Sequence, residues 1–547
     1  MNKKLWLAML MAIMLVLGLA ACGGEETSGE KEPEKTEDTE KETEPEAEEP
    51  AKNDTLVFGR GGDSVGLDPI TVTDGESFKV TKNIFDTLVD YGEQDTEIFP
   101  ALATEWKVSK DGLVYTLTLR EGVKFHDGTD FNADAVVANF DRWAGGTEET
   151  FYYYKSMFGG FGEEEGHVIK DVKALDAKTV EFTLKIPQAP FLKNLAMSPF
   201  GIASPAAVEK FGDKFTENPV GTGPFKFVEW KRTERIVIEK NADYWLEGYP
   251  KLNKVIFTAI PDNTSRLNAL LSGEIHLADG LNNSDVGQIE ASDKLQAFNR
   301  PSMNVGYLGL TNSRGPLKDK KVRQALNHAV DKQGIIDAFY AGQAVPAKNP
   351  LPPSVGGYND AITDYPFDLE KAKALLAEAG YADGFKIQLW AMPVSRPYMP
   401  DGQKVAQVIQ ANFAQIGVEA EIVSFEWATY LEKARAGEAD TFLLGWTGDN
   451  GDADNFLNVL LGGSNIDSNN YARYDNAEVN ELLKQAQTNP DEKARNELYA
   501  KAQEIIKDDA PWVPLVHSTP LLGGSAELAG FFPHPTGSDK LATVEFK

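Results

Sequence analysis

Hydrophobic and polar residues alternate in several stretches of the first half of the chain. These stretches are residues 55–59 (TLVFG), 114–128 (VYTLTLREGVKFHDG), 179–191 (TVEFTLKIPQAPF) and 235–245 (RIVIEKNADYW). Alternation with a period of two is typical of strands, and Asp127-Gly128 is typical of a hairpin turn. We therefore predict a first half that is rich in strands and has few long helices.

The second half has helical spacing and then an alternation of strands and helices. Apolar residues recur every three or four positions at Val322, Ala325, Leu326, Ala329 and Val330. Asp368 can cap a helix that ends at Gly380. The next predicted elements are a strand at 385–392, a helix at 404–416 closed by Gly417, a strand at 418–423, a helix at 427–436, a strand at 441–446 and a further strand at 511–520. This order predicts right-handed βαβ units and a parallel sheet.

A parallel sheet would bring the residues after these strands to one edge, where ligands bind in open α/β sheets. The residues that follow the three predicted strands are Arg396, Tyr398, Phe425, Glu426, Trp427, Trp446 and Asp449. We therefore expect an arginine, carboxylates and several aromatic rings to lie at the same edge.

The N-terminus has the features of a lipoprotein signal. Lys3 and Lys4 precede an apolar segment, residues 5–19, that is too short for a comfortable membrane span. The segment ends in Leu-Ala-Ala-Cys, which resembles a lipobox, and Cys22 is the only cysteine. We expect residues 1–21 to be a signal peptide, Cys22 to carry a lipid anchor and residues 22–53 to be a disordered acidic tether. The alternative is a plain secretory signal with an incidental cysteine.

Composition narrows the classes of partner. The chain has 547 residues, 42% of them hydrophobic, and a formal net charge of -30. Length predicts two to four domains. The acidic balance argues against nucleic acid and anionic membrane surfaces as partners, and it suits cationic or zwitterionic ligands.

The stretch 445–456 (GWTGDNGDADNF) combines three aspartates with glycine and tryptophan. An EF-type calcium loop needs glycine at its sixth position and glutamate at its twelfth. Counted from Asp449, these positions hold Asp454 and Leu460, so the calcium motif fails. The six histidines form no close pair and there is one cysteine, so the sequence predicts no metal site and no cofactor.

Three interpretations stay open on the residues alone. Ser64 lies in Gly-Asp-Ser-Val-Gly, a nucleophile pattern, but loop residues follow it where a helix is needed. Asp452 and Asp454 could act as an acid–base pair in a secreted hydrolase. Arg396 and Asp449 facing one cleft would suit a zwitterion, since a guanidinium forks onto a carboxylate and an ammonium needs an anion. The alternative is that Arg396 is a surface residue and the tryptophans belong to the core.

Longer stretches resemble the extracytoplasmic solute-binding proteins of the peptide/nickel ABC-transporter family, and most closely its dipeptide-binding branch. Residues 99–142 match the family signature region, and NPVGTGPFKFVEW, KVRQALNHAVDKQGII and FDLEKAKALLAEAGY are further landmarks. LWAMPVSRPYMP and GWTGDNGDADNF resemble the dipeptide branch in particular. The resemblance covers nearly everything after the tether.

The resemblance implies an α/β, two-lobed periplasmic-binding-protein-like fold with mixed or parallel sheets and a hinge between the lobes. Lobe I would comprise 54–90, 219–303 and 518–547. An inserted subdomain of lobe I would span 91–218, and lobe II would span 304–517. The chain would cross between the lobes near 301–307 and 515–520.

The resemblance also implies a site and partners. Asp449 would bind a peptide amino terminus and Arg396 a peptide carboxylate, with Trp427, Trp446, Tyr398, Thr447 and Gly448 beside them. Asp63 and Ser64 are candidates for the lobe I side. The partners would be a short peptide, ABC permease subunits with their ATPases and a membrane reached through the lipid anchor, and the protein would be a monomer without enzymatic activity.

Rival ligands and rival classes stay open within this expectation. Nickel chelates, glutathione, haem or longer peptides are alternatives within the same fold. A secreted hydrolase, or a receptor or chaperone without transport, is an alternative of another class.

Overall fold

The predicted strands form three main sheets in the computed structural model, which describes residues 54–547. The predicted signal peptide, Cys22 and the tether lie outside the described residues. Two pairs of short strands, Val89–Tyr91 with Ile98–Pro100 and Leu528–Ala529 with Glu545–Phe546, complete the set.

The large sheet has seven strands and includes the N-terminal strand of the described chain. Its spatial order is Leu295–Asn299, Leu521–Ser525, Leu277–Ala278, Thr55–Arg60, Lys254–Ala259, Arg235–Lys240 and Phe225–Lys231. The predicted strand at 55–59 is confirmed, one residue longer than expected. Its apolar residues Leu56 and Phe58 are fully buried, as alternation with one core-facing side requires.

The second sheet has six strands from the second half of the chain. Its spatial order is Ala344–Pro346, Trp512–Ser518, Asn304–Leu310, Thr441–Thr447, Phe385–Trp390 and Val418–Val423. Hydrophobic clusters cover both of its faces, which is why its central strands read as nearly continuous apolar runs.

The small sheet has four antiparallel strands, in the order Ala103–Val108, Val114–Leu119, Thr179–Leu184 and Ile169–Asp176. It has its own aromatic-rich core, in which the rings of Phe140 and Phe182 lie 4.9 Å apart. We call the residues packed around this sheet the small-sheet region.

Helices cover the sheets, and their ends follow the predicted signals. The α-helices are Gly75–Ile84, Ala133–Ala144, Tyr152–Phe158, Phe191–Leu195, Pro205–Phe211, Asn263–Ser272, Val286–Glu290, Lys320–His328, Lys332–Phe339, Leu369–Glu378, Gly402–Ala414, Trp427–Arg435, Asp454–Leu461, Ala477–Thr488 and Glu492–Asp509. Asp368 caps its helix as predicted, because its carboxylate accepts a hydrogen bond from the N–H of Lys371. Gly380 and Gly417 follow their helices with positive φ angles of 85° and 83°.

The expectation of a parallel second sheet is only partly right. Phe385–Trp390 pairs in parallel with Val418–Val423 and with Thr441–Thr447, as the βαβ order predicts. Asn304–Leu310 is antiparallel to Thr441–Thr447 and to Trp512–Ser518, so the sheet is mixed. The strands Asn304–Leu310 and Trp512–Ser518 are reached by long connections that are not βαβ units. The rule that makes the strands of a βαβ unit parallel therefore does not fix their direction.

The chain passes between the large and second sheets twice, and the two passages touch. The N–H of Arg300 donates to the carbonyl of Pro520 at 3.0 Å. The side-chain amide of Asn304 donates to the carbonyl of Ser518 at 2.9 Å, and its oxygen accepts from the N–H of Ser518 at 3.0 Å. Both passages therefore lie side by side.

Within residues 54–547, no helix combines the length and apolar character needed to cross a membrane.

Candidate functional site

A cavity of about 510 Å³ lies between the second sheet, the helix Gly75–Ile84 and the small-sheet region. The second sheet contributes Arg396, Thr447, Gly448 and Asp449 to its lining. The other lining residues come from outside the second sheet and are Thr73, Gly75, Phe78, Tyr91, Tyr153, Met197, Ser198, Pro199, Thr536 and Ser538. Four residues predicted for the site are therefore brought together at one cavity, with a volume in the range of small-molecule sites.

Asp449 is a carboxylate without a cationic partner. None of the ion pairs within residues 54–547 includes it. Its Oδ2 accepts a hydrogen bond from the side chain of Asn455 at 3.1 Å, and its Oδ1 lies 3.5 Å from the hydroxyl of Tyr153. Burial raises the pKa of Asp449 to about 6, although these two hydrogen bonds oppose the shift. A ligand cation would supply the missing partner.

Glycines let the loop that carries Asp449 approach its neighbours closely. A Cβ atom on Gly448 would lie 2.6 Å from the ring of Phe456. Gly451 has a φ of 63°, and a Cβ there would lie 2.3 Å from Thr96. Glycine at these positions therefore lets the loop fit between the second sheet and the small-sheet region.

Arg396 is the cation in the lining of the cavity, and its side chain is exposed. It opens a turn in which its N–H and carbonyl pair with Met399, and its guanidinium donates to the carbonyl of Ser395 at 3.0 Å. None of the ion pairs in the described chain includes Arg396. The cavity thus has one cation and one carboxylate in its lining, both without a charged protein partner.

The three predicted aromatic residues do not line this cavity. Tyr398 is buried, its ring lies against Gly445 and its carbonyl accepts from the hydroxyl of Tyr340 at 2.8 Å. Trp427 stacks on Tyr430 with ring centroids 5.7 Å apart. The indole of Trp446 donates to the side-chain oxygen of Asn455 at 2.9 Å. These rings are held by packing within the second-sheet region.

Asp452 has a structural partner. Its two oxygens accept hydrogen bonds from Arg495 at 2.8 and 3.1 Å, and both side chains are buried. Burial alone would raise the pKa of Asp452, but Arg495 and nearby Lys193 hold it below its ordinary value. The pair fixes the loop to the helix Glu492–Asp509.

Asp454 differs again, because one of its carboxyl oxygens is buried without a hydrogen-bond partner. Burial, followed by the charge of Asp452, raises the pKa of Asp454 to about 7. Asp454 opens the helix Asp454–Leu461 and lines a second cavity of about 350 Å³. Asp452 and Asp454 therefore contribute to the loop and helix and do not line the cavity that holds Asp449.

The small-sheet region makes direct hydrogen bonds to residues 449–451. The side chain of Asn450 donates to Asn194 at 2.7 Å, and the hydroxyl of Tyr91 donates to the carbonyl of Asn450 at 3.3 Å. Thr96 and Lys193 each donate to the carbonyl of Gly451 at 3.2 Å. The loop is therefore held between two parts of the protein, and the cleft around it is closed.

Asp63 and Ser64, the predicted candidates on the lobe I side, lie outside the lining of the cavity. Asp63 accepts hydrogen bonds from the indole of Trp230 at 3.0 Å and from the N–H of Thr233 at 2.8 Å. The hydroxyl of Ser64 donates to the carbonyl of Glu76 at 3.1 Å and contacts Arg60 at 3.2 Å. A loop follows Ser64, as expected from Gly66 to Pro69, and not the helix of a nucleophile elbow.

Sequence reasoning missed the residues that complete the site from outside the second sheet. Tyr153, Phe78 and Tyr91 line the cavity but lie some hundreds of residues from Asp449 along the chain. The run of three tyrosines at 152–154 was the one local signal, because aromatic side chains are common in ligand sites. Asn455 was missed because an asparagine at the start of a helix is ordinarily explained by the helix end itself.

Comparison with known proteins places the chain in a family. Residues 97–469 match the family described as bacterial extracellular solute-binding proteins, family 5 Middle. This chain belongs to that family. It is a solute-binding protein of the extracytoplasmic kind and not an enzyme, so the hydrolase interpretation is wrong.

Individual relatives cover nearly the whole chain. Heme-binding protein A of Haemophilus influenzae is 38% identical over 96% of this chain and 96% of its own length. The dipeptide-binding protein of Escherichia coli K12 is 38% identical over 90% of this chain and 95% of its own length.

A solved structure supports the fold. It is the ABC transporter-associated periplasmic binding protein DppA from Helicobacter pylori in complex with peptide STSA. It is 37% identical, with a TM-score of 0.74 over 90% of this chain and 98% of its own. The predicted two-lobed periplasmic-binding-protein fold and the predicted family are confirmed.

Proposed function

We propose that the protein is the substrate-binding component of an ABC importer, and that it captures short peptides, most simply dipeptides, for a membrane permease. The observation that carries this proposal is a cavity with one carboxylate, Asp449, and one guanidinium, Arg396, in its lining. The names of similar proteins support it, since one is a dipeptide-binding protein and another is a periplasmic binding protein in complex with a peptide.

Zwitterionic recognition follows from the charges. The ammonium of a peptide would pair with Asp449, and its carboxylate would pair with Arg396 in a forked geometry. Each residue of an extended peptide adds about 3.5 Å, so a fixed spacing between the two charges favours one length. Because both termini are common to all peptides, side-chain identity would matter little, and water could fill the remaining volume.

Haem is a second candidate because a relative of equal identity is a heme-binding protein. A haem carries two carboxylates and no ammonium, so Arg396 would suit it and Asp449 would not. The unpaired carboxylate therefore favours a ligand with a cationic end. Glutathione fits the pattern too, since it has an ammonium and carboxylates, whereas longer peptides and nickel chelates would need a different use of the two charges.

A calorimetric titration with matched ligands tests the proposal. We expect a dipeptide to bind, and we expect both its N-acetylated and its C-amidated forms to bind much more weakly, since each loses one charge. Haem, glutathione and a nickel–histidine chelate serve as competing ligands in the same buffer. Tight binding of haem with no binding of dipeptides would overturn the peptide proposal and leave the solute-binding role intact.

Three further parts of the proposal concern architecture and location. We propose a lobe I of 54–90, 219–303 and 518–547 with an inserted subdomain at 91–218, and a lobe II of 304–517; the separate sheets and cores support this division. We also propose a lipid anchor on Cys22 after removal of residues 1–21, with residues 22–53 as a tether, and a monomeric protein.

A further inference from the structure

We propose that Asn455 is a positioning residue that holds one carboxylate oxygen of Asp449 and leaves the other to a ligand ammonium. The inference rests on the proposed function, because it concerns how the same site would hold an amine. Asn455 lies in the first turn of the helix Asp454–Leu461, is 5% exposed and does not line the cavity that holds Asp449.

The side chain of Asn455 makes three hydrogen bonds to the segment that carries the site. Its Oδ1 accepts from the backbone N–H of Asp449 at 3.0 Å and from the indole Nε1–H of Trp446 at 2.9 Å. Its Nδ2 donates to Oδ2 of Asp449 at 3.1 Å. One amide therefore fixes the backbone and the carboxylate of Asp449 together.

The amide can point in only one direction. A backbone N–H and an indole N–H are donors that cannot accept, so the oxygen of Asn455 must face them. The amide nitrogen must then face Asp449, and an N–H necessarily donates to Oδ2. A flipped amide or an ionised aspartate at this position could not satisfy all three neighbours.

This arrangement decides which oxygen is available to a ligand. Oδ2 of Asp449 is engaged by Asn455, while Oδ1 has only the long 3.5 Å contact from the hydroxyl of Tyr153. Tyr153 lines the cavity and comes from the small-sheet region. A ligand ammonium would therefore bind at Oδ1, between the two parts of the protein that close around it.

Electrostatics gives Asn455 a second effect. Burial raises the pKa of Asp449, and the hydrogen bond from Asn455 is the larger of the two interactions that oppose this rise. The other groups that feel the charge of Asp449 are Tyr91, Tyr152 and Tyr153, which stay neutral near pH 7. The nearby anion of Asp452 is neutralised by Arg495. Without Asn455, the carboxyl would hold its proton to a higher pH and bind an ammonium less well.

The test compares Asn455→Asp with a matched control, Asn458→Asp. Both variants add one carboxylate to the same helix, but among the described residues Asn458 hydrogen-bonds to Asp454 and not to Asp449, and it lines the second cavity and not the cavity of the site. Calorimetry would measure the dissociation constants of a dipeptide and of its N-acetylated form between pH 5 and 8. Carboxyl NMR titration would follow Asp449 in the ligand-free proteins.

We expect Asn455→Asp to weaken binding of the free dipeptide at pH 7 by about 10- to 150-fold, the effect of losing a hydrogen bond to a charged group. Binding of the acetylated dipeptide should change much less. Two adjacent carboxyls would share a proton, so the affinity of this variant should rise with pH over a range in which the wild type is already flat. Asn458→Asp should behave as the wild type in both respects.

Equal losses for the free and the acetylated dipeptide, with an unchanged pH profile, would mean that Asn455 is merely structural and would overturn the inference. If Asn455→Asp does not fold, Asn455→Ala removes the amide donor without adding a charge, and the same ligand comparison applies to it.

The proposed function and this inference can fail separately. If the wild type does not discriminate the acetylated dipeptide, the peptide proposal fails. The NMR titration still decides the role of Asn455, because removing its donor should raise the pKa of Asp449 whatever the natural ligand is. An unchanged pKa of Asp449 in Asn455→Ala would refute the inference.

Discussion

Two aspartates three residues apart should respond in opposite ways to the same substitution. Asp449→Asn removes a carboxylate that has no cationic partner in the described chain, whereas Asp452→Asn removes half of the buried pair with Arg495. We predict that Asp449→Asn reduces ligand affinity without any loss of stability. Asp452→Asn should reduce stability and leave the contact with the ligand amine intact.

The size of the first effect follows from desolvation of the ligand amine. In Asp449→Asn a ligand ammonium would enter the cavity without its counter-charge. Truncating one partner of such a charged pair costs about 2–5 kcal/mol, or about 30-fold to several thousand-fold in the dissociation constant. The hydrogen bond from Asn455 to this side chain can persist, because an asparagine also presents an oxygen.

The size of the second effect follows from the same physics applied to Arg495. That guanidinium is buried and makes two hydrogen bonds to Asp452. Removing one charge of a buried pair leaves the other uncompensated, which costs about 3–5 kcal/mol. The apparent free energy of unfolding should fall by this order, since the helix Glu492–Asp509 loses its link to the loop.

Calorimetric titration with a dipeptide and urea unfolding without ligand measure the two effects on the same preparations. The N-acetylated dipeptide adds a chemical control, because it should bind to the wild type and to Asp449→Asn with similar weakness. Wild-type affinity in Asp449→Asn would mean that the amine is recognised elsewhere. Wild-type stability in Asp452→Asn would mean that the buried pair contributes nothing net.

Further predictions concern charge, pH, closure and anchoring. Arg396→Ala should weaken a free dipeptide strongly and an amidated one only slightly by calorimetry, with no change in unfolding because Arg396 is exposed; an equal loss for both ligands would contradict this role. Because the pKa of Asp449 is raised to about 6, its carboxylate destabilises the folded state above that pH. The free energy of unfolding that Asp449→Asn gains should therefore shrink as the pH falls from 7 to 5. A difference in urea midpoints between the two proteins that stays constant with pH would refute this. Small-angle scattering should show a smaller radius of gyration with saturating dipeptide, because contacts such as Asn450 to Asn194 form on closure; an unchanged radius would count against closure. Cys22→Ser should release the protein from membranes in a fractionation assay, and undiminished membrane association would argue against lipidation.

Local patterns were sufficient for the second-sheet elements near the site. Helical spacing and caps predicted the helices around Val322 and after Asp368, and the βαβ order predicted the parallel strands that bring Arg396 and Asp449 to one cavity. These features depend on residues close together in the chain, so periodicity and capping rules can detect them.

The rest of the site depends on contacts over long sequence separations. No local pattern indicates that Tyr153 approaches Asp449, or that Thr96 lies against Gly451. The aromatic residues after the strands were predicted to line the cavity, but packing decides whether a ring faces the ligand or the core, and Tyr398 faces Gly445. The antiparallel direction of the strand Asn304–Leu310 could not be predicted from local patterns either, because it is set by the passage of the chain between the sheets.

The two proposed anchors have one further consequence, which follows from their shared sheet. Arg396 and Asp449 follow neighbouring strands of the second sheet, so we expect the distance between them to stay the same when the cleft opens. The open protein could therefore bind both termini of a peptide of the right length before any residue of the small-sheet region contacts that peptide. Closure would be a second, later step, in which Tyr153 and its neighbours contact a ligand that has already been selected by its length. Peptides of the wrong length would then dissociate from the open protein before it closes. Selection for length would appear in the association rate, and selection for the amine would appear in the residence time of the ligand.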